Sequence, residues 1–235
     1  MPLFPPQQGH HLWQAGRVLA HYLEQNAPSL LQTRTVLELG AGAGLPSLIA
    51  ALSSATKIVV TDYPDADLIE NLDWNVQNAL PEDARERISA QGFLWGADPE
   101  PLLAKLPDSG AGQRGGFDTL ILADLLFNHS EHSKLLQTVQ QTLRKPTTSA
   151  INSNPREPPP QALVFFTPYR PWLLKNDIAF FEEARGCGFR VEKVFETVME
   201  KVMFEEDRGD EGLRRTVFGY SLTWADKGEE GEGVA

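Results

Sequence analysis

Apolar and polar residues recur along this chain with two periods, one typical of helices and one typical of strands. From Leu12 to Leu23, apolar side chains return every three or four residues, which predicts an amphipathic helix ending before Pro28. Short apolar and β-branched runs predict strands at residues 35–39, 57–61, 88–94, 117–123, 162–167, 189–198 and 216–224. Helical patterns are predicted between them, at 47–52, after Pro64, at 102–106, 131–144 and 176–186.

The order of these elements predicts an α/β fold. Strands that alternate with helices form a mostly parallel sheet with helices on both faces. The last two strands follow each other without a helix, so an antiparallel last strand is expected. The prediction is thus a Rossmann-like, seven-stranded sheet. In such sheets ligands bind where the parallel strands end, so candidate chemistry is expected directly after each strand.

One domain, at residues 12–224, is expected to account for most of the chain, because 235 residues with 41% apolar composition suit a single large core. The Pro- and Gln-rich residues 1–11 are predicted to be irregular. Residues 146–161 carry repeated prolines and are predicted to be a flexible insertion within the domain. The Gly/Glu-rich residues 225–235 are predicted to be a disordered acidic tail.

The charge balance narrows the range of partners. A net charge of -11 argues against nucleic acid or an anionic membrane as the main partner, and it is compatible with a basic protein substrate. No apolar run reaches the ~18 residues that span a bilayer, and the first residues lack the pattern of a signal peptide. The single cysteine, Cys187, excludes an internal disulfide and favours a reducing compartment, so a cytoplasmic protein is expected, here as a monomer.

The first strand leads into a glycine-rich turn. Glu38 is followed by Gly40, Ala41, Gly42 and Gly44, and a helical pattern comes next. Glycine leaves no side chain between the backbone and a ligand, and the helix start offers free N–H groups. The spacing is G-x-G-x-G rather than the G-x-G-x-x-G of a dinucleotide site. It resembles the turn of class I S-adenosylmethionine (SAM) methyltransferases, although a turn without a ligand is the alternative.

Three further strand ends carry candidate residues. Asp62, with Tyr63 beside it, follows the second strand, where a carboxylate can accept both ribose hydroxyls of a nucleoside. The alternative for Asp62 is an N-cap of the next helix. Trp95 follows the third strand and is a candidate for the adenine edge, or else a core aromatic residue. Ala123 ends the fourth strand and is small enough to pass a cofactor.

The fourth strand runs into Asp124, Phe127 and Asn128, which are the catalytic candidates. Methyl transfer needs an uncharged amine lone pair, and a carboxylate with aromatic walls can orient the amine and stabilise its developing cation. The alternative for Asp124 is a capping or turn acid. His129 and His132 follow, but metal binding would need more ligands, so no metal site is predicted. Capping by Ser130 is the structural interpretation of this stretch, and a proton-acceptor role for His129 has no support.

Two later segments are candidates for the substrate channel. Tyr169 and Trp172 follow the fifth strand, and Trp172 either walls the channel or packs on the sheet as the next helix starts. The loop at residues 205–211 holds five acids and one arginine. If this loop lies at the ligand-binding edge, it would attract a lysine-bearing peptide, and a solvated loop is the alternative.

Together these residues resemble the family 16 methyltransferases, a seven-strand group that modifies lysines in translation proteins. The resemblance includes a tryptophan, Trp13, in the element before the fold, which the family uses to contact the cofactor. The Asp124-to-Phe127 stretch matches the family's acidic-x-x-Tyr motif, but Phe127 replaces tyrosine, so any role of its hydroxyl is absent.

Residues 124–132 and 167–171 are most similar to the fungal members that methylate translation elongation factor 1-alpha. That resemblance implies SAM as cofactor, and methylation of the factor's N-terminal amine and a nearby lysine. A small-molecule N-methyltransferase acting on an amine such as nicotinamide, and a non-catalytic SAM-binding protein, are the alternatives.

Overall fold

The computed structural model describes residues 12–107, 115–146 and 158–225. Within these residues the strands form one seven-stranded sheet, in the order β3-β2-β1-β4-β5-β7-β6. The first five strands are parallel, and β7 runs antiparallel between β5 and β6. The strands are β1 Thr35–Leu39, β2 Lys57–Asp62, β3 Ile88–Gly92, β4 Thr119–Ala123, β5 Gln161–Phe166, β6 Phe189–Val198 and β7 Thr216–Trp224.

Helices cover both faces of this sheet. Because successive strand residues point to opposite faces, Leu37 and Leu39 enter one core, whereas Val36 enters the other. The helices are α1 Gln14–Gln25, α2 Ala27–Leu30, α3 Leu45–Leu52, α4 Ala66–Ala79, α5 Glu82–Arg85, α6 Glu100–Leu103, α7 His132–Thr142, α8 Leu174–Gly186 and α9 Glu211–Arg215. Buried side chains of α1 to α5 pack in one core, and those of α6 to α8 pack in the other. No helix in the described ranges is long and apolar enough to cross a bilayer.

The predicted fold class is confirmed, and most corrections concern element ends. Helix α1 ends at Gln25, before Pro28 as predicted, but Pro28 itself lies in the first turn of a second short helix, α2, where its missing N–H costs nothing. Strand β3 stops at Gly92, before residues 93 and 94, after which Phe93 turns into the core. Strand β4 begins at Thr119, because Phe117 forms an isolated bridge to Leu143 instead. Helix α6 lies earlier than the predicted 102–106, and a 3-10 turn at His129–Glu131 precedes α7.

The position of β7 decides where the acidic loop lies. Since β7 is antiparallel to both neighbours, β6 runs in the same direction as β5. The β6–β7 loop therefore leaves the sheet where the parallel strands end, at what we term the carboxyl edge. Residues 205–211 belong to this loop, so the strand directions place them at this edge, which was the condition for their attraction of a substrate. At the start of the loop, the carbonyl of Lys201 accepts a hydrogen bond from Nε2 of Gln14 (2.8 Å).

Three predicted segments fall largely outside the described residues. These are residues 1–11, most of the insertion at 146–161, and the tail after Ala225. At the end of the predicted insertion, Gln161 already belongs to β5, one residue earlier than expected.

Candidate active site

The glycine turn after β1 has a backbone that only glycine adopts readily. Gly40, Gly42 and Gly44 have φ angles of 60°, 54° and 73°, all in the left-handed region. The turn is held by its neighbours, since the N–H of Ala41 donates to the carbonyl of Thr61 (2.9 Å). Space is also limited, because a Cβ on Gly40 would lie 2.6 Å from Leu125 Cδ2. Sequence and packing therefore both require glycine at this position.

Glu38 lies near the end of β1, just before the glycine turn. It is 1% exposed, and its Oε2 accepts the N–H of Ser47 in the first turn of α3 (3.0 Å). The pKa of Glu38 is raised to about 8, mainly by burial. The nearby charge of Asp62 acts in the same direction, and the hydrogen bond from Ser47 acts in the opposite direction. Glu38 was predicted among the cofactor-binding residues. In the structure its side chain joins the end of β1 to the start of α3, and a role toward the cofactor stays a prediction.

Asp62 lies at the end of β2, directly against the same turn. One carboxylate oxygen accepts the N–H of Gly42 (2.6 Å), and the other accepts that of Tyr63 (2.6 Å). The alternative interpretation as a helix cap is wrong, because Asp65 is the N-cap of α4 and accepts from Asp67 and Leu68. Asp62 is only partly buried, so a ligand at the turn can reach it.

Trp95 lies against the turn, and Tyr63 follows Asp62 in the chain. Trp95 is half-buried and packs on the core, yet a Cβ on Gly40 would lie 3.2 Å from its Cζ2 atom. Both predictions for Trp95 therefore agree with its position, because it packs on the core as an aromatic residue and also lies beside the turn, where it can contact a ligand. The side chain of Tyr63 is exposed beside Asp62.

Asp124 occupies a strained position at the end of β4. Its φ of 55° is in the left-handed region, and its N–H donates to the carbonyl of Phe165 (2.8 Å). Its carboxylate accepts the N–H of Thr167 at Oδ1 (2.8 Å), and the N–H of Ala15 (2.9 Å) and the hydroxyl of Tyr169 (3.2 Å) at Oδ2. Burial raises its pKa to about 7, and these hydrogen bonds act in the opposite direction.

An aromatic cluster lies beside Asp124. The ring of Trp13 packs edge-on against Tyr169, at 5.2 Å between centroids, and against Phe204, at 5.7 Å. Trp13 and Tyr169 were predicted here, but Phe204 was not. Phe204 lies in the β6–β7 loop. The prediction considered only the charges of this loop, although an aromatic residue in a loop near the ligand-binding edge could have been named as a candidate.

A small cleft, open to solvent, lies next to this cluster, with a volume of about 20 Å³ for the centres of water-sized groups. It is lined by Asp124, Leu126, Phe127, Phe166, Thr167, Tyr169, Arg170 and Asp177. The carbonyl of Phe127 accepts a hydrogen bond from Nη2 of Arg170 (2.8 Å). The backbone N–H of Asn128 donates to the carbonyl of Leu125 (3.3 Å), and its side-chain oxygen accepts from Ser130 (3.2 Å). Ala123, half-buried, immediately precedes Asp124.

The two histidines after β4 make contacts within the protein. Nε2 of His129 lies 2.6 Å from Oδ1 of Asp177, and Nε2 of His132 lies 2.9 Å from the carbonyl of Leu126. Capping of the next helix by Ser130 is wrong, because α7 follows a 3-10 turn and Glu131 occupies its N-cap position. No group of three metal-binding side chains occurs in the part of the chain that the structure describes.

One of the two predictions for Trp172, that it packs on the sheet as the next helix starts, is wrong. It lies in a 3-10 turn before α8 and is 62% exposed, so it does not anchor the helix on the sheet. A Cβ on Gly209 would lie 3.3 Å from its ring, which places Trp172 against the acidic loop. It remains a candidate wall of the channel.

These residues fit a nucleoside carrying an amino-acid chain. The glycine turn carries no side chains of its own at positions 40, 42 and 44, and a partly buried carboxylate and an indole flank it. The sequence profile of a family described as lysine methyltransferase matches residues 6–168. This chain belongs to that family.

Curated relatives of this methyltransferase extend over almost the whole chain. The protein N-terminal and lysine N-methyltransferase EFM7 of Emericella nidulans is 45% identical over 225 residues, which are 94% of this chain and 82% of the relative. The protein of the same name from Cryptococcus neoformans var. neoformans is 45% identical over 230 residues, which are 96% and 75% of the two chains.

Solved structures of lower identity share the fold of this methyltransferase. A SAM-dependent methyltransferase from Aquifex aeolicus aligns with a TM-score of 0.55 at 14% identity, over 93% of this chain and 98% of that chain. Precorrin-6y C5,15-methyltransferase from Geobacter metallireducens aligns with a TM-score of 0.54 at 13% identity, over 92% and 90% of the two chains. These alignments show that the chain has the fold of these methyltransferases.

Replacing Gly40 by alanine should weaken SAM binding by about tenfold or more, which corresponds to about 1.4 kcal/mol. The new Cβ would lie 2.6 Å from Leu125 and would push on Trp95 at a φ of 60°. Titration calorimetry with SAM measures the change. Gly188→Ala is the matched control, because Gly188 also has a positive φ (85°) but nothing lies within 4 Å of its added Cβ. Equal SAM affinity in both variants would contradict this account of the turn.

The stability of the methyltransferase should fall as pH rises from about 5 to about 8. The raised pKa of Glu38 means that the folded state binds more protons than the unfolded state above pH ~4.5, so folding loses free energy until the folded pKa of about 8 is passed. One such acid contributes at most about 1.4 kcal/mol per pH unit. Asp124 adds to this trend.

Urea unfolding at several pH values tests the trend. Glu38→Gln should reduce the pH slope of the unfolding free energy, whereas Glu24→Gln, which removes an exposed acid from α1, should leave it unchanged. An unreduced slope in Glu38→Gln would show that Glu38 is ionised in both states.

Proposed function

We propose that this protein is a cytoplasmic, monomeric, SAM-dependent N-methyltransferase of translation elongation factor 1-alpha, acting on its N-terminal amine and a nearby lysine. The observation that carries the proposal is 45% identity, over 94% of the chain, to an enzyme named as a protein N-terminal and lysine N-methyltransferase. The identity of the substrate rests on the resemblance of residues 124–132 and 167–171 to the fungal methyltransferases of this factor.

The residues around the glycine turn are proposed to hold SAM. Gly40, Ala41, Gly42 and Gly44 bring the backbone close to the ligand, and Asp62 receives its ribose hydroxyls. Trp95, Tyr63 and Trp13 border it on the outer side, and Ala123 leaves space at the end of β4. When bound, SAM supplies an electrophilic methyl group on a sulfonium.

Asp124 is proposed to stabilise the positive charge that develops on the acceptor nitrogen. Its carboxylate already accepts hydrogen bonds from Ala15, Thr167 and Tyr169, so it is fixed in place before the substrate arrives. Phe127 supplies an apolar wall of the same cleft, and Asn128 a polar group at the turn that follows. The open cleft suits the end of a polypeptide chain.

The direct test uses purified protein, labelled SAM and elongation factor 1-alpha made in a bacterial host. We expect label at the factor's N-terminal amine and a neighbouring lysine, located by peptide mass spectrometry. Asp124→Asn should retain SAM binding and lose turnover by about 10²-fold, because a fixed charge near the reacting nitrogen is removed. A factor with an acetylated N-terminus is the matched control for the first site.

Two outcomes would contradict this function. Transfer to nicotinamide or another small amine, with none to the factor, would favour a small-molecule enzyme. SAM binding without transfer to any acceptor would favour a non-catalytic binding protein.

The acidic loop is proposed to attract the basic substrate. Asp210 caps α9 and Glu211 pairs with Arg215 (3.7 Å), which leaves Glu205, Glu206 and Asp207 exposed at the carboxyl edge. Long-range attraction of this kind raises the association rate and weakens with salt.

Replacing Glu205, Glu206 and Asp207 by their amides should therefore raise KM for the factor by about threefold to tenfold at low salt, and leave SAM affinity unchanged. Steady-state kinetics at two salt concentrations measure this effect. Replacement of Glu82, Asp83 and Glu86, on and next to α5, is the control with the same change of charge. Equal KM values in the two triple variants would reject a role for the loop.

A further inference from the structure

Two oxygen atoms of the cleft have hydrogen-bonding capacity that the protein does not use. Thr167 is 5% exposed, and no described residue donates a hydrogen bond to its buried Oγ1, whose hydroxyl lies close enough to the Asp124 carboxylate to lower the pKa of that group. Asp177 is also 5% exposed, and among those residues its carboxylate makes one hydrogen bond, between Oδ1 and His129. Buried polar groups are normally paired, so the unused acceptor capacity of Thr167 Oγ1, in a cleft that also holds the second oxygen of Asp177, indicates that a ligand completes this part of the cleft.

The carboxylate of Asp124 has less hydrogen-bonding capacity left for a ligand than Thr167 and Asp177 have. Three protein donors already occupy it, two of them at Oδ2. A carboxylate oxygen accepts about two hydrogen bonds, so Oδ2 is filled. The acceptor must therefore be oriented mainly by other groups in the cleft.

The charges around Asp177 favour a ligand that donates hydrogen bonds. His129 faces it from the 3-10 turn before α7, His132 from α7, and Arg170 from the segment after β5. Burial nevertheless raises the pKa of Asp177, while these three groups act in the opposite direction. Arg170 is engaged with the carbonyl of Phe127. Two carboxylates thus line the cleft against one guanidinium, which disfavours an anionic ligand.

We propose that Thr167 Oγ1 and Asp177 Oδ2 form the acceptor-amine subsite and receive the two N–H groups of a primary amine. A neutral primary amine has two N–H donors and one lone pair. With both donors engaged, the lone pair stays free for the methyl group, which is the orientation that in-line transfer requires. His129 is a positioning residue, since its bond to Oδ1 holds the carboxylate with its other oxygen unused.

The subsite also explains selection by chemical class. A hydroxyl acceptor has one hydrogen and would leave one of these two oxygens without a donor. Sites built to pair with an N–H reject analogues that lack it more strongly than apolar pockets reject a missing methylene. The inference deepens the proposed function and rests on it for the identity of the protein substrate.

The test measures binding of a peptide with the factor's N-terminal sequence to the protein loaded with S-adenosylhomocysteine. Wild-type protein should bind the peptide with a free α-amine about tenfold more tightly than its trimethylated form, which has no N–H donor. Asp177→Asn and Thr167→Val should lose this preference, because Thr167→Val removes one acceptor and Asp177→Asn replaces a charged carboxylate by a neutral amide whose NH2 group donates and cannot accept. His129→Gln should reduce it.

Two variants keep the result interpretable if others fold poorly. Thr167→Ser retains the hydroxyl and should keep the preference that Thr167→Val loses. Glu182→Gln removes an exposed acid on the same helix as Asp177 and should behave as wild type. Folded Asp177→Asn and Thr167→Val proteins that still prefer the free amine would overturn the subsite.

Glycinamide, followed by nuclear magnetic resonance, separates this inference from the proposed function. If the wild-type protein ignores the peptide but binds glycinamide through Thr167 and Asp177, the subsite stands and the protein substrate is wrong. If it binds neither amine, the subsite is overturned as well.

Discussion

The carboxylate of Asp124 joins three parts of the chain that lie far apart in sequence. It accepts the N–H of Ala15 in α1, the N–H of Thr167 after β5 and the hydroxyl of Tyr169. Removing such a buried acceptor would leave several donors unpaired, at about 1–3 kcal/mol each. Asp124 thus helps to fix the start of α1 over the carboxyl edge, together with the hydrogen bonds of Gln14 to Tyr169 and Lys201 and the buried face of the helix.

Asp124 is one of three strand-end acids that bind backbone N–H groups. Glu38 accepts the N–H of Ser47, and Asp62 accepts those of Gly42 and Tyr63. Loops at a sheet edge carry unpaired amides, and carboxylates are strong acceptors for them. The acids that identify the family in sequence therefore also order the loops that surround the ligand, which is why their positions cannot be changed independently of the fold.

The sequence predicted the fold well because most strands are dense apolar or β-branched runs. Bounds for β1, β6 and β7 agree with the structure, whereas β3 ends at Gly92 because packing of Phe93 overrides the local pattern. Local patterns also could not separate Asp62 from Asp65 as the cap of α4, since both precede the helix and only geometry decides.

Long-range contacts account for the features of the site that sequence did not reveal. The pairing of Asp124 with Ala15, and of His129 with Asp177, joins residues 109 and 48 positions apart. Phe204 reaches Trp13 only because β7 turns the β6–β7 loop to the carboxyl edge. No periodicity carries such information, which arises from topology.

The two ends of the described chain lie at opposite edges of the sheet. Trp13 is beside the aromatic cluster at the carboxyl edge, whereas Trp224 pairs with Phe189 at the start of β6. A fusion partner joined after Ala225 is therefore attached on the side away from the cleft. One joined ahead of Leu12 is attached at the mouth of the cleft, where it competes for space with an incoming polypeptide, so purification handles belong at the carboxyl terminus.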